Sequence, residues 1–459
     1  MLYYLIKFLA VLSLERFFDK IIVEHRERIH PDCPTIYVAN HPNTMMDAMV
    51  AGYAVGKRIH FTAKSTIFAN PVASWFLKKI GLVPIYRRED NPDQMGKNED
   101  IFIRLYEHLE TGGSFLIFPE GISISDRLLH EIKTGAARIA FGAEVRNKFS
   151  LNVQIVPVGL NYSDYQKFRS DVYCRFGYPI FINEYRDNYE KNPVQAVKEV
   201  TEKIKYQLEK VTTTLPESEI SDLVDFVNTI YKKDLIVEMG LESKSVEDEF
   251  FVTKGIIDAV EWYKHHHPDR TKIMSKEMGN YLKTLQRLQL RDDFLSPARK
   301  GIKFRRRLKS WFFLVIGFPV FLWGAINNFL GYKIPRVLTV RITHQDTFIS
   351  SVKLMVGIAA FVLFYTIQIW LSWFLFHDKS ISIIYGLTLV PSGNFALEYY
   401  RRAQNYRQHL IFLSLFYRKR SLIYGLIQKR MALIESLNEA KEEFLSMVEE
   451  QKRTSEENR

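Results

Sequence analysis

A histidine and an aspartate near the N-terminus carry the clearest catalytic pattern in this 459-residue chain. His41 follows the short apolar run TIYVAN, and Asp47 comes six positions later. A carboxylate that fixes the imidazole tautomer and stabilises the charged ring makes a general base that works near neutral pH. At about 100° per residue the two side chains would lie on different faces of a regular helix, so we expect them to meet across a turn before a helix. Taken alone, such a pair is more often structural than catalytic.

Two basic residues follow other predicted strands. Lys64 ends the run RIHFTAK, and Arg87 lies in GLVPIYRR. The guanidinium group of arginine binds phosphate through a bidentate fork, and the ammonium group of lysine acts as a point charge. Either residue alone is more often a solvated charge at the end of a strand, so the hypothesis of a phosphate site depends on both.

The sequence FPEGIS at residues 118–123 provides a turn next to a strand. Its glycine, Gly121, lets the backbone approach a ligand, and Glu120 can hold basic residues or a hydroxyl group. The sequence has no serine or cysteine in a nucleophile-elbow pattern. Direct attack by a substrate hydroxyl group, activated by His41, is therefore the simplest chemistry.

Short apolar runs rich in β-branched residues alternate with helical patterns between residues 30 and 180, which predicts an α/β unit. The strand candidates are TIYVAN, RIHFTAK, GLVPIY, SFLIFPEG and VQIVPVGLNY. Residues 193–211 have helical spacing and close this unit. The reactive residues follow the strands, where a rigid sheet can position them.

In this order, the blocks resemble those of the glycerolipid acyltransferase superfamily, which comprises glycerol-3-phosphate and lysophosphatidic acid acyltransferases. The resemblance covers about residues 30–215 and implies an α/β acyltransferase domain with a mixed sheet. It implies His41 as catalytic base, Asp47 as its orienting partner, and Arg87 with Lys64 as ligands of the acceptor phosphate. The other implied site residues are Glu120 and Gly121, with Ser123 and Arg127 near by, for the acceptor, and Pro157 for the acyl donor. No metal or cofactor is implied, and the acyl donor is expected to be acyl-CoA or acyl carrier protein.

The spacing departs from the commonest family pattern, because five residues rather than four separate His41 from Asp47. This gap resembles the branch of yeast-type glycerol-3-phosphate and dihydroxyacetone-phosphate acyltransferases, which also carry C-terminal membrane segments. We therefore expect acyl transfer to the sn-1 hydroxyl group of glycerol 3-phosphate or dihydroxyacetone phosphate in phospholipid biosynthesis. Acylation of lysophosphatidic acid or another lysolipid is the alternative. A non-catalytic scaffold that binds anionic lipid is a third hypothesis, disfavoured because a scaffold does not need the whole set of site residues.

Apolar stretches in the C-terminal half predict a membrane-embedded region. Residues 311–330 and 354–376 are uncharged and about long enough to cross a bilayer, and residues 381–397 form a shorter candidate that is either spanning or re-entrant. The first stretch is either a full span or a hairpin that turns at Pro319. Basic residues at 299–309 precede it, so the positive-inside rule places the acyltransferase domain on the cytoplasmic face.

We divide the chain into an interfacial helix (1–29), the acyltransferase domain (30–215), a helical region (216–298), a basic flank with transmembrane segments (299–400) and a helical tail (401–459). The net charge of +11 favours a bilayer with anionic lipids and a phosphorylated acceptor as partners. Nucleic acid is disfavoured, because the basic clusters flank apolar spans. The two cysteines, Cys33 and Cys174, support neither a disulfide framework nor a zinc site.

Overall fold

The computed structural model describes residues 2–87, 89–90, 92–241, 245–296 and 311–457. The chain forms two compact units. The first comprises Met1–Thr214 together with Arg336–Ile358, and the second comprises Leu215–Pro335 together with Ala359–Arg459. The acyltransferase motifs all lie in the first unit, which also includes a segment from the C-terminal half. The predicted basic cluster at 299–309 lies outside the described residues.

The first unit is built on an eight-stranded mixed sheet. The strands are β1 Lys20–Glu24, β2 Thr35–Ala39, β3 His60–Lys64, β4 Leu82–Ile85, β5 Ser114–Ile117, β6 Gln154–Tyr162, β7 Asp171–Phe176 and β8 Ile180–Phe181. They lie in the order β1-β7-β6-β2-β5-β3-β4, with β8 beside β6. Strand β6 is antiparallel to β7 and β8, and the other neighbouring pairs are parallel. The predicted mixed-sheet α/β fold is confirmed.

Helices cover both faces of this sheet, which explains why the central strand β2 is buried along its whole length. Successive side chains of a strand point to opposite faces. Ile36 and Val38 accordingly pack in one core cluster, and Tyr37 and Ala39 pack in another. The helices of this unit are Leu2–Phe17, Thr44–Val55, Pro71–Lys79, Lys97–Glu110, Gly135–Arg146, Arg186–Lys191 and Pro193–Val211.

The N-terminal 29 residues, predicted as an interfacial helix, form both a helix and a strand of the sheet unit. Helix Leu2–Phe17 buries Leu14 and Phe17 in the core, and strand β1 follows it and pairs with β7. On the same helix Tyr4 and Phe8 are exposed. Contact with a bilayer surface stays a prediction for that exposed face.

The second unit is helical in its described residues, and a buried arginine ties its parts together. Arg430 is 3% exposed; its Nε lies 3.0 Å from Oδ2 of Asp292, and its Nη2 lies 2.7 Å from Oδ2 of Asp234. Such a pair stabilises only when its remaining polar atoms are bonded, and Tyr281 donates to Asp292 here at 2.6 Å. The longer helices that lie wholly in this unit are Val246–His266, Pro268–Arg287, Lys379–Arg418 and Arg420–Glu457.

Two helical segments of the described chain are long and apolar enough to cross a membrane, Asp346–Phe376 and Lys379–Arg418. They contain the predicted stretches at 354–376 and 381–397, and the latter lies within a continuous 40-residue helix. In the stretch at 311–330, a turn at Gly317 separates the helical residues 311–316 from helix Phe318–Ile342. Pro319 lies in the first turn of that helix, and both the hairpin and the full span stay predictions.

Candidate active site

His41 and Asp47 meet beyond the carboxyl end of β2. The Nδ1 atom of His41 lies 2.9 Å from Oδ2 of Asp47, which is in the first turn of helix Thr44–Val55. The backbone between them makes a turn, and Thr44 has a φ of 40°, in the left-handed region that β-branched residues rarely adopt. The six-position offset is therefore bridged by a turn, as expected, and the Nε2 atom of His41 is the one left for a substrate proton.

Asp47 is fully buried and accepts three hydrogen bonds. Besides His41, the donors are the backbone N–H of Asn43 at 2.6 Å and the hydroxyl group of Tyr162 at 2.7 Å. Burial and the neighbouring Asp47 carboxylate raise the pKa of Tyr162 well above its usual range, so its hydroxyl group stays protonated and donates. The sequence analysis missed Tyr162, whose only signal is its place at the end of the predicted strand β6.

The imidazole ring of His41 is fixed by stacking as well as by hydrogen bonding. The ring of Phe118 lies parallel to it, with an interplanar angle of 10° and a centroid distance of 3.8 Å. The side chain of His41 nevertheless keeps 18% of its surface exposed. The ring is therefore held in one orientation while a substrate can still reach it.

Glu120 joins two loops of the site through both of its carboxylate oxygens. Oε1 accepts from the backbone N–H of His41 at 2.8 Å, and Oε2 accepts from the backbone N–H of His130 at 3.1 Å. Burial raises the pKa of Glu120, and these two hydrogen bonds act in the opposite direction. The side chain of His130 lies 3.1 Å from Asp126, a second His-Asp pair that the sequence analysis missed. Acceptor binding by Glu120 stays a prediction, and its observed contacts join the loop of His41 to the loop of His130.

The two predicted phosphate ligands lie on either side of Asp90. The Nζ atom of Lys64 is 3.7 Å from Oδ1 of Asp90, and Nε of Arg87 is 2.9 Å from its Oδ2. Arg87 also donates to the backbone oxygen of Gly121. Gly121 has a φ of 72°, a conformation that glycine adopts without strain. The structure thus brings Lys64 and Arg87 together at one acidic side chain, and Gly121 contacts Arg87.

The remaining predicted residues take different positions. Ser123 accepts from the backbone N–H of Thr44 at 3.0 Å, which links the FPEGIS turn to the turn between His41 and Asp47. Arg127 lies in the same loop region with a φ of 61°. Pro157 is buried in the middle of β6, opposite Val38 of β2. A role of Pro157 at the acyl-donor site stays a prediction.

Comparison with known proteins defines the class of this domain. Residues 20–161 match the family model described as Acyltransferase. The first unit therefore contains a region similar to the Acyltransferase family, and the predicted resemblance to glycerolipid acyltransferases is confirmed.

Individual relatives cover parts of the chain. It is 27% identical to glycerol-3-phosphate O-acyltransferase 1 of Saccharomyces cerevisiae, over 57% of this chain and 33% of that protein. It is 32% identical to a chloroplastic 1-acyl-sn-glycerol-3-phosphate acyltransferase of Arabidopsis thaliana, over 30% of this chain and 37% of that protein. The crystal structure of the acyltransferase PlsC of Thermotoga maritima has 20% identity and a TM-score of 0.32, covering 44% of this chain and 77% of that chain. The matched regions thus span 33% and 37% of these two curated relatives.

Proposed function

We propose that this protein is a membrane-bound O-acyltransferase that moves an acyl chain from an acyl thioester to the sn-1 hydroxyl group of glycerol 3-phosphate or dihydroxyacetone phosphate. The observation that supports this most strongly is the buried Asp47 carboxylate 2.9 Å from a partly exposed His41, in the same unit as the paired cations Lys64 and Arg87. The names of two yeast relatives, glycerol-3-phosphate O-acyltransferases 1 and 2, favour this acceptor. Lysophosphatidate is the second candidate acceptor, favoured by the name of the Arabidopsis relative.

In the proposed mechanism, Nε2 of His41 takes the proton of the acceptor hydroxyl group while that oxygen attacks the thioester carbonyl. The carbon–sulfur bond breaks as the ester forms, and the imidazolium returns its proton to the departing thiolate. Asp47 stabilises the charged ring, and Lys64 with Arg87 binds the acceptor phosphate. Holding the phosphate fixes the approach of the hydroxyl group, which lowers the barrier by proximity.

The setting of the reaction is part of the proposal. The donor is acyl-CoA or acyl carrier protein, the reaction uses no metal, and the acylated product enters the bilayer. The catalytic unit faces the cytoplasm, as the basic residues at 299–309 indicate by the positive-inside rule. The net charge of +11 attracts both anionic lipid and a phosphorylated acceptor.

The test is transfer of a radiolabelled acyl group from acyl-CoA by membranes that contain the wild-type chain, His41→Ala or His265→Ala. Glycerol 3-phosphate, dihydroxyacetone phosphate and lysophosphatidate are offered separately. His265 is an exposed histidine of the second unit and serves as the matched control. We expect label in the first two acceptors and at least a ~100-fold loss in His41→Ala, because a positioned base contributes about that much. Label in lysophosphatidate alone selects the second candidate, and equal rates in His41→Ala reject the mechanism.

A further inference from the structure

The helix that carries Asp47 receives its N-terminal caps from distant parts of the chain. The first N–H groups of a helix have no partner inside it and need acceptors from elsewhere. Asn43 stands at the N-cap position of helix Thr44–Val55, but its side-chain amide donates to the backbone oxygen of Tyr165 at 2.9 Å. The Oγ atom of Ser123 accepts from Thr44 N–H. Met46 N–H is shared between two acceptors, the backbone oxygen of Asn43 at 3.0 Å and the Oγ atom of Ser351 at 3.2 Å. The hydroxyl groups of Ser351 and Thr44 also lie 3.4 Å apart.

Ser351 belongs to the first turn of helix Ile349–Phe376, which is one of the two candidate membrane helices. It lies in the first compact unit and is 3% exposed. Just before this helix, the backbone oxygen of Thr347 accepts from the hydroxyl group of Thr44 at 2.8 Å. Thr44, the strained residue between His41 and Asp47, is thus held by a hydrogen bond to the start of a candidate membrane helix about 300 positions away in the sequence.

Further contacts fix the first turn of helix Ile349–Phe376 to the loop after β6. Ser350 donates to the backbone oxygen of Tyr165, the same oxygen that Asn43 binds. The Nζ atom of Lys353 donates to the backbone oxygen of Gln166 at 2.9 Å. One turn of helix therefore contacts both the loop of the catalytic pair and the segment that follows Tyr162.

We propose that Ser351 is a positioning residue for the catalytic pair: its hydroxyl group caps the helix of Asp47 and keeps the turn at Thr44 in the shape that aligns His41. The start of the membrane helix then completes the active site in addition to anchoring it. This inference rests on acyl transfer at His41, the proposed function, and concerns how that site is held.

The test compares full-length wild type, Ser351→Ala, Ser351→Thr and Ser372→Ala in detergent micelles. Ser372 is a buried serine of the same helix that lies in the second unit, so it is a matched control. The assay measures kcat and KM for glycerol 3-phosphate and lysophosphatidate with palmitoyl-CoA, per mole of folded protein. Hydrogen–deuterium exchange of peptides that cover residues 42–50 reports on the cap independently of activity.

We expect Ser351→Ala to lower kcat about tenfold with KM within about twofold, because small displacements of a catalytic group reduce the rate of the chemical step. Ser351→Thr retains the acceptor oxygen and restores most of kcat, and Ser372→Ala resembles wild type. Exchange at 42–50 is faster in Ser351→Ala alone. Unchanged exchange in Ser351→Ala overturns the proposal whatever the activity, and so does faster exchange with an unchanged kcat. A wild type that acylates no acceptor contradicts the proposed function instead, and the exchange data still decide whether Ser351 caps the helix.

Discussion

Asp90 occupies the position between the two cations that the proposed acceptor phosphate needs. Lys64 and Arg87 both contact its carboxylate. A carboxylate and a phosphate carry the same sign and compete for the same donors, and arginine pairs with either in a bidentate manner. At the residue scale, Asp90 therefore offsets one of the two positive charges and competes with the proposed phosphate for both cations.

We predict that Asp90→Asn lowers the KM for glycerol 3-phosphate. Removing the negative charge weakens the internal competitor and removes repulsion of the phosphate. These groups are partly exposed, so the interaction is worth at most about 1 kcal/mol, which corresponds to roughly a fivefold change in KM. Initial rates at varied glycerol 3-phosphate measure it, with Asp93→Asn as the control for loss of a nearby surface charge. A higher KM in Asp90→Asn would mean that Asp90 positions the cations instead of competing with the phosphate.

At the scale of elements, the sequence predicts the strands that carry the motifs. The five predicted runs correspond to β2, β3, β4, β5 and β6, because buried strands of a parallel sheet are continuous apolar runs. The two-residue strand β8 was missed, and so were the longer strands β1 and β7. Each contains charged residues, Lys20 and Glu24 in β1 and Asp171 and Arg175 in β7, which hide the strand pattern.

The candidate site was predictable only where its residues belong to local motifs. His41 and Asp47 are six positions apart, so their pairing could be proposed from spacing and chain direction. The hydrogen bonds from Tyr162 to Asp47 and from Met46 to Ser351 join residues 115 and 305 positions apart. Such contacts depend on strand order and on the folding back of the C-terminal segment, and neither leaves a periodic signal in the sequence.

We predict that the two cysteines differ sharply in reactivity because of the elements that hold them. Cys174 is buried on β7, and burial raises its pKa to about 12. Burial also raises the pKa of Cys33, but this residue lies partly exposed before β2. A higher pKa means less thiolate at a given pH, and the thiolate is the reactive form.

Titration of the native chain with a disulfide reagent at pH 8 should therefore modify Cys33, and Cys174 should react only after unfolding. The reaction of Cys33 should become faster as the pH rises. Cys33→Ser should abolish the native reaction and leave the reaction in denaturant. Modification of both thiols in the native protein would contradict the burial of β7.

At the scale of the whole molecule, the unit that carries the candidate site is assembled from two separate parts of the chain. Residues 336–358 belong to it, although 121 residues of the second unit, Leu215–Pro335, intervene in the sequence. The helix Ile349–Phe376 therefore begins inside the folded unit that carries the site. A chain organised in this way links the stability of the sheet unit to the start of a candidate membrane helix.

Leu354 tests this link, because it is 6% exposed and packs in the same core cluster as Met46 and Val50. We predict that Leu354→Ala destabilises the catalytic unit by about 2–5 kcal/mol, the usual cost of truncating a buried leucine. Leu363 lies on the same helix with 56% of its surface exposed, so Leu363→Ala is the matched control and should leave stability unchanged. Thermal unfolding of the full-length chain in detergent, followed by tryptophan fluorescence, should show a Tm lower by about 5 °C or more for Leu354→Ala only. Equal Tm values for the two variants would show that the catalytic core is stable without this leucine, and that the membrane helix is only attached to it.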